Sequence, residues 1–208
     1  APISRGAAFE AWIKLSDTGD NTGIILGKDN VDGGNQDVVL ELVAGDPRIT
    51  YRTGDGTTKT ATLDANIVST DGWVHVAAAI DPFENDDGIV TIVAYFSATG
   101  EEKISQTDLK GAYAGGDGEL RIGTDTGADA EWLPVYVDEV RVWGIALEGP
   151  SIRNARHTTL SGTENGLLHY WRFDDLGASA EDFLADHRFD SATAGTANVA
   201  YAARPQGS

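Results

Sequence analysis

Two adjacent carboxylates, Asp138 and Glu139, lie in the middle of the strand-like run YVDEVRVWG. A pair of carboxylates can serve as the general acid and the general base of glycoside hydrolysis when both reach the same bond. Adjacent side chains of a β-strand point to opposite faces of the sheet, so we expect these two carboxylates to lie on different sides. The pair is therefore not expected to share a catalytic role.

The segment KDNVDGGNQD, residues 28–37, is a second concentration of oxygen ligands. Its Gly33–Gly34 pair allows the chain to fold around an ion. Hard oxygen ligands are those that Ca²⁺ selects, and the candidates here are Asp29, Asp32, Asn35 and Asp37. The spacing does not match an EF-hand loop, and an ordinary acidic hairpin loop is the alternative interpretation.

Trp132 lies in the loop segment TGADAEWLP. An aromatic ring near strand ends can stack on the apolar face of a sugar ring, while nearby carboxylates accept hydrogen bonds from sugar hydroxyls. Trp132, together with Asp125 and Asp129, is therefore the candidate ligand platform. The alternative is a loop that only covers the edge of the fold.

Other catalytic signals are missing from the sequence. It contains no serine-hydrolase elbow, P-loop or HExxH zinc motif. Its four histidines have neither triad nor metal-ligand spacing, so a structural role is expected for them.

The charge and composition of the chain exclude some classes of binding partner. The 208-residue chain has 33 acidic residues against 15 Lys plus Arg, a formal net charge of -18, so nucleic acid would be repelled. Such a surface attracts hard cations, and with no cysteine for disulfides or thiolate ligands, calcium is the expected stabilising ion. No apolar run approaches the roughly 20 residues of a membrane helix, so no membrane insertion is expected. From the start at APISRG, without Met, we expect a piece of a longer protein.

Most of the chain consists of short alternating or β-branched runs between turn residues, the pattern of an all-β sandwich. Phe9, Ala11 and Ile13 are expected on one face of the first strand, with Trp12 on the other. Pro150, near the start of GPSIRNARHTTL, indicates one helical turn. Ser179 is a capping residue for a second short helix in SAEDFLADHRF. We therefore predict an all-β fold with one or two short helices near the C-terminus.

Six motifs occur in a familiar order: FEAWIKL (9–15), GIILGKD (23–29), DGWVHVAAAID (71–81), GELRIGTD (118–125), VDEVRVWGIAL (137–147) and TENGLLHYWRFDD (163–175). In these motifs the chain resembles bacterial laminin-G-like (LamG) jelly-roll domains of the concanavalin A-like lectin/glucanase superfamily. The resemblance implies a two-sheet antiparallel jelly-roll sandwich whose loops commonly hold calcium and sometimes glycans. It implies a single domain over residues 1–208, in which residues 165–200 form a C-terminal extension that closes the sandwich.

The resemblance also implies an ion at Asp138. Relatives often bind a structural calcium between an Asp at this strand position and the closing strand, which here offers Asp174 and Asp175. The alternative is that Asp138 only caps or hydrogen-bonds a neighbouring loop. Glucanase relatives carry their acids as Glu-x-Asp-x-x-Glu, and the nearest segment here, ENDDGI (84–89), has Ile89 in place of the third acid. We therefore expect no enzymatic activity.

The sequence thus predicts a non-catalytic, calcium-stabilised module that binds carbohydrate or an extracellular protein. We expect it to belong to a larger secreted or cell-surface protein such as an adhesin, and to work beside other domains of the same polypeptide. Two alternatives stay open: a glycan-degrading enzyme with an unrecognised site, and a structural spacer between other domains.

Overall fold

Short runs of β-branched and aromatic residues, closed by Gly, Asp or Asn, form strands along most of the chain. A computed structural model describes residues 6–16, 20–29, 36–83, 88–115, 120–123, 133–174, 179–181, 183 and 188–190. For residues 29, 36, 179–181 and 188–190 it describes the backbone alone.

Two antiparallel sheets contain most of the strands, which are numbered along the chain. The six-stranded sheet runs, edge to edge, through β11 (Leu167–Trp171), β10 (Val135–Trp143), β1 (Ala7–Leu15), β6 (Val74–Asp81), β7 (Ile89–Phe96) and β8 (Glu102–Asp108). The five-stranded sheet runs through β5 (Thr58–Thr62), β4 (Asp46–Arg52), β3 (Gln36–Val43), β2 (Gly23–Asp29) and β9 (Leu120–Ile122). A separate hairpin pairs β12 (Ser179–Glu181) with β13 (Arg188–Asp190). The predicted all-β, two-sheet antiparallel sandwich is confirmed.

The main core lies between the two sheets. Phe9, Ala11 and Ile13 of β1 point into it, as the alternation predicts, and pack in one cluster with buried side chains of the five-stranded sheet such as Leu40. Trp12 is buried on the opposite, outer face of the six-stranded sheet. Both faces of this sheet are therefore covered, which explains why β1 and β6 are apolar almost throughout.

Helix α1 (Gly149–Ala155) lies on that outer face, and its prediction from Pro150 is confirmed. Ile152 of the helix packs in a second cluster that includes Ala77 and Ala79 of β6. Alanine at these outward positions leaves room for a helix to approach the sheet closely. The alanines in the segment AAAID of β6 therefore form the surface on which the helix packs.

One local prediction was wrong. No helix begins directly after Ser179, because Ser179–Glu181 forms β12 and pairs with β13. Of the run GELRIGTD the structure describes residues 120–123, and Leu120–Ile122 forms β9. Strand β11 pairs with β10, but the single-domain assignment and the closing role of residues 165–200 stay predictions.

Candidate functional site

Strand β10 contains one extra residue at the Asp138–Glu139 pair. Glu10 of β1 lies opposite Arg141 and Trp12 lies opposite Asp138, so three residues of β1 face four of β10. Glu139 has a φ of 51°, in the left-handed region. The pairing of the two strands is therefore interrupted by a β-bulge.

The bulge places both carboxylates on the outer face of the six-stranded sheet. Val137 and Val140 both pack against the core between the sheets, although an unbroken strand would send residues three apart to opposite faces. Asp138 is the cross-strand neighbour of the outward Trp12, and Glu139 contacts side chains of the same outer face. The expectation that the two carboxylates point to opposite faces was wrong, because the extra residue breaks the alternation.

Arg141 is the centre of a buried charge cluster on this face, formed by Glu10, His75, Glu139, Arg141 and Tyr170. None of the five is more than 4% exposed. Arg141 Nη2 donates a hydrogen bond to Glu139 Oε2, and Arg141 Nη1 lies 3.5 Å from Glu10 Oε1. The Tyr170 hydroxyl donates to the same Glu139 oxygen at 2.6 Å. One guanidinium thus neutralises two buried carboxylates.

Glu10 and His75 form the other half of the cluster. His75 Nε2 lies 3.2 Å from Glu10 Oε2, and the Trp143 indole N–H donates to Glu10 Oε1 at 2.9 Å. Burial by itself would raise the pKa of Glu10, but the neighbouring His75 and the charge of Arg141 hold that pKa below its usual 4.5. Burial lowers the pKa of His75 below its usual 6.5, although Glu10 opposes the shift. The imidazole is therefore neutral at neutral pH.

The carbonyls at the C-terminal end of α1 are bound by the same face. Arg141 donates to the carbonyl of Ala155 at 3.0 Å and to that of Thr158 at 2.7 Å. Trp12 Nε1 donates to the carbonyl of Arg156 at 2.8 Å. A helix leaves its last carbonyls without partners inside the helix, so the bonds to Ala155 and Arg156 satisfy such carbonyls. Together with the bond to Thr158 in the chain that follows, they hold α1 on the sheet.

Glu102 of β8 holds the other side of the helix. Its two carboxylate oxygens accept hydrogen bonds from Arg153 Nε at 2.7 Å and from Arg156 Nη1 at 2.5 Å. The Arg156 guanidinium also lies over the Tyr95 ring, with Cζ 3.6 Å from the ring centroid. The middle of the outer face of the six-stranded sheet is therefore covered by α1 and the residues that follow it.

This arrangement stabilises the fold and presents no reactive carboxyl. General acid–base catalysis requires a carboxyl group that reaches the substrate. Glu10 and Glu139 are buried beneath the helix and both face Arg141. In the part of the chain that the structure describes, this cluster offers no acid–base pair to a substrate.

The described metal-ligand candidates lie in different surroundings. Asp138 in β10 and Asp37 in β3 are buried, whereas Asp174 is exposed and accepts a hydrogen bond from Arg172. Strand β11 runs antiparallel to β10, so the chain that continues to Asp174 approaches the end of β10 that carries Asp138. The backbone thus brings these two candidates toward the same edge of the sheet.

The other candidates fall outside the described residues. These are the metal ligands Asp32, Asn35 and Asp175 and the ligand platform of Trp132, Asp125 and Asp129; for Asp29 only the backbone, in β2, is described. Among the described side chains, no group of three or more His, Asp or Glu residues is placed to hold a metal ion. All of these metal and ligand assignments stay predictions.

A polar surface that the sequence analysis missed lies on the other sheet. We name it the β4–β5 face, and its outward side chains are Arg48, Thr50 and Arg52 of β4 and Thr58, Thr60 and Thr62 of β5. The hydroxyl oxygens of Thr50 and Thr60 are 3.2 Å apart across the strands, and Arg48 Nε donates to Glu41 Oε1 at 2.9 Å. The sequence pattern that indicates this face is present in RITYR and TKTAT, where every second residue is Thr or Arg.

Comparison with known proteins identifies the family. A family model described as the concanavalin A-like lectin/glucanases superfamily matches residues 2–153. The chain belongs to this superfamily. The resemblance to laminin-G-like jelly rolls is thereby confirmed. A comparison with curated proteins gave no match.

Solved structures of the superfamily's fold are similar to this chain at low sequence identity. A protein from Bacteroides ovatus ATCC 8483, to which carbohydrate binding is ascribed, has 19% identity and a TM-score of 0.66, over 89% of this chain and 51% of that protein. The heptameric SAP-like pentraxin of Limulus polyphemus has 18% identity and a TM-score of 0.55, over 89% of this chain and 82% of the pentraxin chain. This chain thus spans about half the length of the Bacteroides protein. At such identities the likeness shows the fold.

Replacing Arg141 tests the buried charge cluster. We expect Arg141→Met to lower the free energy of unfolding by about 3–5 kcal/mol, because it leaves two buried carboxylates without their cation. Arg153→Met, which removes an arginine that is half exposed, is the control and should cost no more than about 1 kcal/mol. Urea unfolding measures both. Equal effects of the two substitutions would contradict a special role for Arg141.

The lowered pKa of His75 predicts that the stability of the fold depends on pH. Its folded pKa lies below 6.5, so as the pH falls through that value the unfolded chain binds a proton that the folded chain does not. The free energy of unfolding should therefore decrease below about pH 6.5, by at most about 1.4 kcal/mol per pH unit from this group. His75→Gln should make the decrease shallower, because it removes the group that binds the proton in the unfolded chain. Urea unfolding at a series of pH values measures the slope, and identical slopes for wild type and His75→Gln would refute the assignment.

Proposed function

We propose that this chain is a non-catalytic, calcium-stabilised module that binds carbohydrate or an extracellular protein ligand. The observation that carries the proposal is the contrast between the outer faces of the two sheets. Helix α1 covers the six-stranded sheet, whereas the β4–β5 face presents hydroxyl and guanidinium groups toward solvent. Threonine hydroxyls donate and accept hydrogen bonds and guanidinium groups donate them, which suits a ligand rich in hydroxyl groups.

Carbohydrate is the favoured ligand class. Membership of a superfamily of lectins and glucanases supports it, as does the carbohydrate binding ascribed to the structurally similar Bacteroides protein. The burial of Glu10 and Glu139 under α1 supports binding without catalysis, because the acids of that face are held by Arg141 and do not reach a sugar. Trp132, Asp125 and Asp129 are the proposed loop contacts to the same ligand.

Calcium is the proposed cofactor. Asp138 with Asp174 and Asp175 would hold one ion, and Asp29, Asp32, Asn35 and Asp37 would hold another. The approach of the chain after β11 to the Asp138 end of β10 fits the first set. Both sets consist of oxygen donors, the chemistry that Ca²⁺ selects, and a net charge of -18 favours bound cations. Bound ions would neutralise the acidic loops and fix the shape in which those loops meet the ligand.

We further place the module in a larger secreted or cell-surface protein, such as an adhesin. The Bacteroides protein, of which this chain covers 51%, supports a role as one part of a longer polypeptide. Nucleic acid is not a proposed partner, because the acidic surface opposes a phosphate backbone. None of the described residues belongs to a helix that is long and apolar enough to cross a membrane.

A glycan array, incubated once with calcium and once with a chelator, tests the binding function. We expect at least one class of glycan to bind in calcium and to bind more weakly after chelation, because the ions order the binding loops. No reducing sugar should be released from the bound glycan. Release of reducing sugar would indicate that the chain is a glycan-degrading enzyme. An array without any bound glycan would contradict carbohydrate binding and favour a structural spacer or a protein-binding domain.

Thermal unfolding tests the calcium sites separately from the ligand. At about 100 times its dissociation constant, each calcium ion should stabilise the fold by about 2.7 kcal/mol, so each ion should raise the melting temperature by roughly 5–10 °C in a chain of this size. Asp138→Asn and Asp32→Asn should each remove part of the shift, one for each proposed ion. Asp64→Asn, at an exposed position in neither set, is the matched control. Melting curves that coincide in calcium and in EDTA would contradict both sites.

A further inference from the structure

We propose that the β4–β5 face binds an acidic glycan, a polysaccharide that carries carboxylate or sulfate groups, through Arg48 and Arg52. The inference rests on the proposed carbohydrate-binding function and adds the ligand's chemical class and its place on the fold. It differs from the loop platform around Trp132, which lies outside the described residues.

The first argument is the geometry of the face. Strand register pairs Arg48 with Thr62, Thr50 with Thr60, and Arg52 with Thr58. Arg52 lies four positions after Arg48 on the same strand, so their backbone positions are about 13 Å apart on the same side of the sheet. The face therefore has two guanidinium groups with threonine hydroxyl groups between and beside them. This arrangement suits a sugar chain that carries acidic groups at intervals.

The second argument is the state of the two guanidinium groups. The side chain of Arg52 forms no ion pair or hydrogen bond with any of the described residues, and the side chain of Arg48 uses only Nε, toward Glu41. The terminal nitrogens of both side chains are thus available. A guanidinium group offers paired N–H donors in the geometry that matches a carboxylate or a sulfate.

Available arginines are unusual in this chain. The sequence has 33 acidic residues for 15 Lys plus Arg, so an acidic partner is available for nearly every cation. Three other arginines of the described part are paired with carboxylates: Arg141 with Glu139, Arg153 with Glu102 and Arg172 with Asp174. Arg52, which pairs with none of the described carboxylates and lies beside exposed threonines, is therefore a local exception to the negative charge of the molecule.

The net charge of -18 does not prevent this binding. Charges separated by more than about 8 Å are largely screened at physiological ionic strength, so contacts on the face itself decide the affinity. A nucleic acid carries one phosphate per roughly 1.7 Å of duplex and would bring many more charges against the acidic surface. A glycan with separated acidic groups meets the two arginines without that repulsion.

Binding to three soluble polysaccharides tests the proposal: hyaluronate for carboxylates, heparin for sulfates and dextran as the neutral chain. Each is titrated by calorimetry into the wild type, Arg52→Gln and Arg153→Gln in calcium buffer, at low and at high salt. Arg153→Gln removes the same charge from the helix on the other sheet and serves as the matched control. Because Arg52 has no described partner, its variant should keep the wild-type melting temperature.

We expect one or both acidic polysaccharides to bind the wild type more tightly than dextran, with an affinity that decreases with salt. Arg52→Gln should weaken acidic binding at least about tenfold, the loss of one charged hydrogen bond, and Arg153→Gln should leave it within about twofold. Equal binding of dextran and the acidic chains would overturn the inference and leave the proposed function intact. Acidic binding that Arg52→Gln does not change would overturn this face as the site. An absence of binding to all three, together with an empty glycan array, would overturn the carbohydrate function itself.

Discussion

The contact between the Arg141 guanidinium and two buried carboxylates is the constraint on which the covered side of the molecule depends. Glu10 and Glu139 come from different strands, and neither could stay charged under α1 without a cation beside it. The same guanidinium donates to the carbonyls of Ala155 and Thr158. A buried ion pair is a weak source of net stability compared with apolar packing. Here the ion pair determines the position of α1. Its directed hydrogen bonds fix one position for the helix, whereas apolar contacts alone would allow the helix to shift.

The bulge at Glu139 makes this contact possible. With regular alternation, Glu139 would share the face of Val137 and would point into the apolar core between the sheets, where nothing described could pair with it. One inserted residue turns its carboxylate outward to Arg141 and Tyr170 and keeps Val140 in the core. The left-handed backbone of a non-glycine residue is unfavourable by itself. The surrounding ion pair and hydrogen bond hold it in place, so the register of β10 and the charge cluster depend on each other.

Sequence patterns predicted those features that depend on neighbours in the chain. The alternation around Phe9 and the position of Pro150 specified a strand face and a helix start, and both are present. The bulge could not be predicted, since position 139 holds Glu and not the glycine that often marks a left-handed bulge residue. The alternation of side chains along β10 gives no other sign of an extra residue. Contacts between Glu10 and Arg141, 131 residues apart, leave no local signal. At Ser179 the capping preference was overridden by strand pairing.

Arginine has opposite roles on the two sheets, and the difference follows from burial. In the interior an uncompensated charge is costly, so Arg141 and its carboxylates must be retained together. On an exposed strand an ion pair contributes little to stability, about 0–1 kcal/mol, so the lack of a partner for the Arg52 side chain among the described residues costs the fold almost nothing. Stability therefore does not determine which residue occupies position 52, whereas binding of an anionic group would. The chain can thus vary its exposed face to suit a ligand while the charge cluster beneath α1 keeps the helix in one position on the other sheet.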